Sequence, residues 1–526
     1  MLAYISRFFL IKPSAGKRCL VVVFTFGVVT FALNSCRQKT NGNTDGDIAD
    51  GKLLAERYCA ACHQLPDPSQ IDRKTWEKGV LPAMARQLRL HSYVGQYFAD
   101  RQSYITVSDW QKIVAYYKNT APVTLVIPKP AVPPLNDLAI FSIVRPKKVD
   151  TIGPAAMTTF TGFNPVDHKI YSGDAANNLF VWDNNLGAKL VKKMPSPVTG
   201  ALFFQNTDGV NTGVFTCIGV LPPIDQSKGK VIEMPLNDKI KDTVTISDSL
   251  PRAVQTVAAD FNKDGLMDYV VCGFGHSKGG LYLLQQQANH KFKKTTIRDM
   301  PGGEQLITGD FNHDGWPDVM CLFAQADEGI WMFLNDHKGG FTTQNLLHFP
   351  AIYGSSSFQV VDFNHDGKPD ILYTSGDNSD FSTVLKPYHG VYIFTNQGDW
   401  KFKQTYFYHV DGCTKAIAAD FEHNGKFDIA AISFFTDLKY HPEEGFLYME
   451  GTKPGQFIVH EVPVNKLGRW LTMDVGDVYQ DGNLDIILGN FSNTGRGFIN
   501  QKGVIPNWDK HEPIIVLKNN SGKKIE

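Results

Sequence analysis

At 526 residues the chain exceeds one ordinary domain, unless a large barrel or propeller takes most of it. Lys+Arg 52 against Asp+Glu 53 leaves a net charge of -1, so no polyanion partner is implied and nucleic acid is not expected. Aromatics at 12%, with 46 Gly and 28 Pro, argue against long helices and for many short strands and turns.

Lys12, Lys17 and Arg18 precede an apolar run from Cys19 to Leu33, the length of a signal-peptide core and short for a membrane span. Residues 1–35 are read as a signal peptide. Leu33-Asn34-Ser35-Cys36 resembles a bacterial lipobox. That resemblance implies cleavage before Cys36, a lipid on this cysteine, and a chain anchored to a bacterial membrane on its extracytoplasmic side. An unmodified signal peptide or an anchor helix is the alternative. Residues 37–50 are polar without an apolar period and read as a tether reaching at most about 50 Å. The boundaries expected are 36–47 for the tether, 48–122 for a helical domain, 123–137 for a linker and 138–526 for the remainder.

The helical pattern opens with an amphipathic segment, 50–58, that delivers the chain into Cys59-Ala60-Ala61-Cys62-His63. Two thiols three positions apart can each add across a haem vinyl group, and the histidine after the second can take the iron's fifth position. A zinc half-site would need a second Cys/His pair nearby, yet the next cysteine is Cys217. Residues 107–118 carry Trp110, Ile113, Val114 and Tyr117 at helical spacing, with Ser108 as the expected N-cap. The layout resembles a small, all-α class I-like cytochrome c domain, which implies covalent haem c and one-electron transfer with a redox protein partner. Met84 is the expected sixth ligand, and His91 or a water-filled position the alternatives. Residues 121–137 hold five prolines and read as a stiff linker.

From Leu138 onward the chain repeats. The lines VAADFNKDGLMDYVV, ITGDFNHDGWPDVMC, QVVDFNHDGKPDILY, AIAADFEHNGKFDIAA and DVGDVYQDGNLDIIL place an aspartate at 260, 310, 362, 420 and 477. Each is followed by an apolar strand, a Gly-led strand and a more polar strand, as in DYVVCGFG, GLYLLQQ and KFKKTTI. Four short strands recurring at about 50 residues mark propeller blades rather than a solenoid. The repeat resembles the FG-GAP/VCBS family of integrin α-like propellers, and Gly273-Phe274-Gly275 stands where its name-giving dipeptide falls. Tyr171-Ser172-Gly173 and the stretch ending Asp208-Gly209 look like two degraded copies. Five clear and two degraded copies predict an all-β propeller of seven blades.

Within the repeats, oxygens fall at loop positions 1, 3, 5 and 9: Asp260/Asn262/Asp264/Asp268, Asp310/Asn312/Asp314/Asp318 and Asp362/Asn364/Asp366/Asp370. Alternate positions on a tight loop converge, and hard oxygens suit Ca²⁺. An EF-hand would need Glu at position 12, where Val271 stands. The fourth copy reads Asp420/Glu422/Asn424/Asp428, and the fifth keeps Asp477, Asp481 and Asp485 with Tyr479 at position 3. Those two are expected to be weaker sites. The bland alternative is Asx-rich turns that bind nothing. His313, His365 and His423, at position 4, are expected to face solvent, and the lone Cys217, Cys272, Cys321 and Cys413 to be small buried apolar residues.

The expectation is an anchored cytochrome whose propeller docks a redox partner, a glycan or a surface protein. The rival is a haem oxidoreductase with its substrate site on the propeller. No Ser/His/Asp grouping or phosphate-cradling loop is present to suggest other chemistry.

Overall fold

A computed structural model describes residues 44–147, 153–237, 243–380, 382–492, 504 and 507–522. The expected signal peptide and Cys36 lie outside the described residues. Among the described residues no helix is long and apolar enough to cross a membrane.

The first helix, Thr44–Tyr58, begins inside the stretch read as a tether, with Asp45 and Asp47 in its first turn. Acidic side chains there complement the helix dipole, which explains why a segment without apolar period is helical. It crosses the helix Val107–Thr120 at Gly51, where a Cβ would lie 2.1 Å from the Lys112 carbonyl oxygen. Only glycine admits that approach. Thr106, not Ser108, caps the second helix: its side chain accepts from the Asp109 amide. Between them, Arg73–Thr75, a wider π-type turn at Trp76–Val80 and Leu81–Gln87 form one winding helical run. Trp76, Leu81, Trp110, Ile113 and Tyr117 are the core of this region.

The all-α expectation needs one correction. Leu90–Tyr93 and Gln96–Ala99 pair as an antiparallel hairpin. Its two-residue turn is Val94-Gly95, both at positive φ (46° and 76°), the conformation a tight right-twisted hairpin requires. A β-branched residue at that position is unusual, which is why the sequence carried no turn signal.

The remainder is seven four-stranded antiparallel sheets. Blade 1 comprises Thr158–Asn164, Lys169–Asp174, Asn178–Trp182 and Ala188–Lys193. Blade 2 comprises Val198–Gln205, Asn211–Cys217, Gly229–Pro235 and Val244–Leu250. Blades 3 to 6 run from Ala253, Gly303, Ser355 and Cys413 in the same four-strand pattern. Blade 7 takes Trp470–Gly476, Asp485–Asn490 and Ile514–Asn519, then closes with Phe141–Val144 from the front of the chain. The two degraded copies thus fall in blades 1 and 2, and the expected seven-bladed propeller is the fold found.

Burial follows strand order. Second strands such as Asp318–Phe323 are buried at every residue because both faces are covered by neighbouring blades. Fourth strands such as Phe292–Arg298 are partly exposed. Every first strand carries a register irregularity near its start, as at Ala253/Gln255 and Trp470/Thr472. A bulge of this kind re-aims the strand, here at the same place in each blade.

The helical region and propeller touch. Ile352, in a turn ahead of blade 5, joins the helical core, and the linker's Leu135 pairs with blade 6 through bonds to Val459 and Glu461. The stiff linker is also tied down at its end, where His460 Nδ1 meets Asp137 at 2.8 Å.

Candidate haem motif and blade loops

The Cys59–His63 turn is held from both sides. The Cys59 amide donates to the Ala55 carbonyl at 2.8 Å, extending the first helix by one bond. Downstream, Tyr117 Oη donates to the Pro66 carbonyl at 3.1 Å and Trp76 Nε1 to the Pro68 carbonyl at 2.9 Å. Both anchors are core residues, so the motif is seated on packed elements. Asp67 adds a capping box with Gln70 around the short helix Pro68–Gln70.

Within the turn, both thiols are free; Cys62 is exposed and Cys59 half-buried. Burial, then the neighbouring Cys62, pushes the Cys59 thiol up to about 11. His63 Nδ1 donates to the Gln64 carbonyl at 2.9 Å in the tautomer that leaves Nε2 as the acceptor. That orientation suits a metal-ligating histidine. Two free thiols three positions apart and one oriented imidazole are the groups a covalently attached haem requires, so the residues fit the group. Met84 is half-buried on Leu81–Gln87 and borders the same core as Cys59. His91 is exposed on the hairpin.

The propeller loops join first strand to second. In all five clear copies the position-1 aspartate accepts from two amides of its own loop: Asp260 Oδ1 from Asp264 at 3.1 Å and Oδ2 from Gly265 at 2.9 Å, and likewise Asp310, Asp362, Asp420 and Asp477. Position 4 is left-handed in each, at Lys263, His313, His365, His423 and Gln480.

Position 9 differs from the other oxygen positions. Asp268, Asp318, Asp370, Asp428 and Asp485 are fully buried. One oxygen of each accepts from the loop's second residue (Phe261, Phe311, Phe363, Phe421, Val478). The other accepts from the third strand (Gln286, Asn335, Asn396, Gly451, Asn519). These aspartates latch loop to blade, a role the sequence reading did not give them. Burial is the main cause that raises Asp268 to about 6, with Asp264 and Asp260 adding to it.

Among the described residues no three His, Cys, Asp or Glu side chains converge as a metal group. This differs from the expectation that positions 1, 3, 5 and 9 meet at one point. The position-3 asparagines Asn262, Asn312 and Asn364 are instead turned onto position 5 of their own loops. The side-chain oxygen of each accepts from the position-5 backbone amide, at 3.1 Å for Asn262, 3.1 Å for Asn312 and 3.0 Å for Asn364. In the first two the side-chain nitrogen also donates to the position-5 carboxylate, Asn262 to Asp264 Oδ2 at 2.9 Å and Asn312 to Asp314 Oδ2 at 2.7 Å. The fourth copy reverses the direction, with Asn424 Nδ2 donating back to Glu422 at 3.0 Å. The physical reason is reach: two residues apart on a tight turn, an Asx side chain satisfies the nearest backbone amide. A carbonyl oxygen has two lone pairs, so one remains on each asparagine. The donor chemistry of the first three loops, carboxylate and amide oxygens close together on one turn, still suits Ca²⁺.

Residues 260–321 and 310–373 match the FG-GAP-like repeat. The propeller carries FG-GAP-like repeats. Human (Homo sapiens) integrin alpha-7 is 24% identical over 210 residues, covering 36% of this chain and 16% of the integrin, so the chain spans under a fifth of that relative. Among solved structures, an ancestral GH74 enzyme aligns with TM-score 0.45 at 10% identity, covering 71% of this chain and 49% of that one. The β-propeller domain of Myceliophteria thermophila Cps50 (Swd1) aligns with TM-score 0.39 at 10% identity, covering 65% and 96%.

Two of the position-4 histidines in the FG-GAP-like loops do not simply face solvent. His365 Nε2 meets the Gly425 carbonyl at 3.0 Å and His423 Nε2 meets Asn483 Oδ1 at 3.2 Å, each joining its loop to the next blade's. The left-handed backbone turns them sideways, and spacing alone could not show that. Cys217, Cys272, Cys321 and Cys413 are buried and free.

Proposed function

We propose that this chain is a lipid-anchored, extracytoplasmic c-type cytochrome that passes single electrons, its FG-GAP-like propeller docking a redox protein partner, a glycan or a surface protein. The observation that carries the reading is the Cys59–Cys62–His63 turn, pinned by Tyr117 and Trp76, with the His63 ring oriented by Gln64. Cys59 and Cys62 would hold the haem through two thioethers, and His63 Nε2 and Met84 would be its iron ligands, with His91 or water the alternatives to Met84. Bound there, haem would supply a one-electron couple whose potential its ligands tune. The half-buried Cys59 keeps its thiol protonated until it is alkylated, and the core behind it keeps water from one side of the site.

Calcium belongs to the same reading. Asp260, Asn262, Asp264 and Asp268 would hold Ca²⁺ in blade 3. Asp310, Asn312, Asp314 and Asp318 would do so in blade 4, and Asp362, Asn364, Asp366 and Asp370 in blade 5. Asp420, Glu422, Asn424 and Asp428 form a weaker set in blade 6. Ligation would use the free lone pair of each position-3 amide oxygen and turn the position-5 carboxylate from that amide toward the ion. The carboxylates of Asp260 and Asp264 lie close enough to Asp268 to add to the rise that burial causes there, which supports the reading. Binding to the folded state alone adds about 2.7 kcal/mol per site at a hundredfold excess over Kd.

The test is expression with haem-attachment machinery and export. The purified protein should be red and keep its colour through acid–organic extraction, and the double change Cys59→Ala, Cys62→Ala should lose it. Haem that extracts freely from the unmutated protein would reject the assignment. Met84→Ala should abolish the weak ferric charge-transfer band at the red edge and lower the potential; an unchanged spectrum passes that role to His91 or water.

A further inference from the structure

The five loops can be aligned by one hydrogen bond, the third-strand amide donated to the position-9 carboxylate. The donors are Gln286, Asn335, Asn396, Gly451 and Asn519. The residue just before each donor is Gln285, Leu334, Thr395, Glu450 and Lys518. In blades 3, 6 and 7 that position reaches the loop. Gln285 lines the same pocket as Asn262, and Glu450 lies close enough to Glu422 to help raise its carboxyl, after burial and Asp428.

In blade 7 the position is a cation. Lys518 Nζ lies 3.3 Å from Asp481 Oδ2 and 4.0 Å from the centre of the Tyr479 ring. Tyr479 stands where the other loops have a ligating oxygen. The ammonium therefore meets the position-5 carboxylate while the position-3 side chain offers a π face, which attracts a monovalent organic cation and cannot ligate a divalent metal.

Other loops also place a basic side chain near position 5, and the difference is confinement. Lys368 on Asp366 is 49% exposed and His337 on Asp314 is 44% exposed, so either can swing into water. Lys518 is 24% exposed and belongs to a strand paired on both sides, with Ile486–Gly489 and with the closing strand Phe141–Val144. It is held in place.

We infer that the blade 7 loop takes no calcium and is closed instead by the Lys518 ammonium, which stands in for the ion. The contrast with the other loops rests on the calcium reading above; the role of Lys518 does not. At the same position blade 6 carries Glu450, so adjacent blades have opposite charge beside otherwise similar loops.

Calcium stoichiometry of the full chain, by native mass spectrometry in a Ca²⁺ titration, tests this. Asp366→Asn should remove one ion, whereas Asp481→Asn should leave the count unchanged. The double change Tyr479→Asp, Lys518→Gln should add one ion. Loss of an ion in Asp481→Asn, or no gain in the double variant while Asp366→Asn does lose one, would overturn the inference. If the unmutated protein binds no calcium, the calcium reading fails and the role of Lys518 is judged by melting in chelator. There Lys518→Gln should lower the propeller's Tm by about 2 °C or more, and an unchanged Tm would overturn that role too.

Discussion

The turn at Cys59–His63 and the loops of the blades are both short segments held rigid, but by different means. The turn is held from outside, by Tyr117 and Trp76, residues that lie beyond it in sequence and belong to a single core. Each blade loop holds itself, through amides donated to its own position-1 aspartate, and then latches to its blade through position 9. A site held by one core fails when that core fails. A site repeated round a ring loses one copy at a time. The comparison teaches that in this protein the unique chemistry sits on the less redundant scaffold.

The largest expected effect strikes that scaffold. Trp76 is 2% exposed and bonds Pro68, so Trp76→Ala should cost about 3–5 kcal/mol in the helical region. Denaturant unfolding followed by helical-region and propeller probes should show the helical transition moving far and the propeller's little. Coincident shifts of equal size would mean that Ile352 makes the two regions one cooperative unit.

Next comes a single latch. Asp318→Ala strands the part-buried amide of Phe311 and the buried amide of Asn335, and should destabilise the propeller by about 2–4 kcal/mol. Asp314→Ala, in the exposed part of the same loop, should cost far less in chelator. Equal losses would erase the distinction between latch and loop.

A pH series should separate the regions further. Burial pushes Glu328, behind the Ser355 amide, from 4.5 up to about 8. A carboxyl whose pKa rises on folding binds more protons folded than unfolded. Its contribution is therefore greatest below about 4.5 and falls as pH climbs toward 8, at no more than about 1.4 kcal/mol per pH unit. Glu328→Gln should flatten that slope for the propeller, measured as denaturant midpoint against pH, and leave the helical region's profile unchanged.

The smallest effect tests a cap. Thr106→Ala should cost about 1 kcal/mol of helical-region stability and Ser108→Ala within about 0.5 kcal/mol of nothing. The reverse order would restore Ser108 as the cap.

Much of the propeller was legible because its signals repeat. A strand-turn-strand pattern seen five times is hard to mistake, and even the degraded copies at Tyr171 and Asp208 could be placed by spacing. The Cys59/Cys62/His63 motif was legible for the opposite reason, a rare combination packed into five residues. What escaped was whatever depends on side-chain direction or on a partner distant in sequence. Asn312 and Asn364 sit at ligand spacing, yet spacing could not show that their oxygens turn onto the Asp314 and Asp366 amides. Ser108 looked like a cap because Ser and Asp are adjacent there, but the backbone turns extended at Thr106. The Val94-Gly95 hairpin escaped because its strands are short, mostly exposed and lack alternation.

By itself the sequence determined the internal bonds of the loops, since those from the position-1 aspartate close within six residues and depend on Asp and Gly standing at set positions, whereas the position-9 latch to the third strand does not. It also determined the blade count, because each repeat brings the first three strands of a blade and six of the seven bring the fourth as well. Only the tertiary structure decided how the ring closes. Phe141–Val144 leaves no mark of belonging to the last blade, and it pairs with Ile514–Asn519 because blade 7 otherwise exposes an unpaired edge. The cost of joining two strands across so long a loop rises only slowly with its length, so backbone pairing outweighs it. The same distance explains Lys518: its meaning comes from Asp481 and Tyr479, which reach it only through the fold.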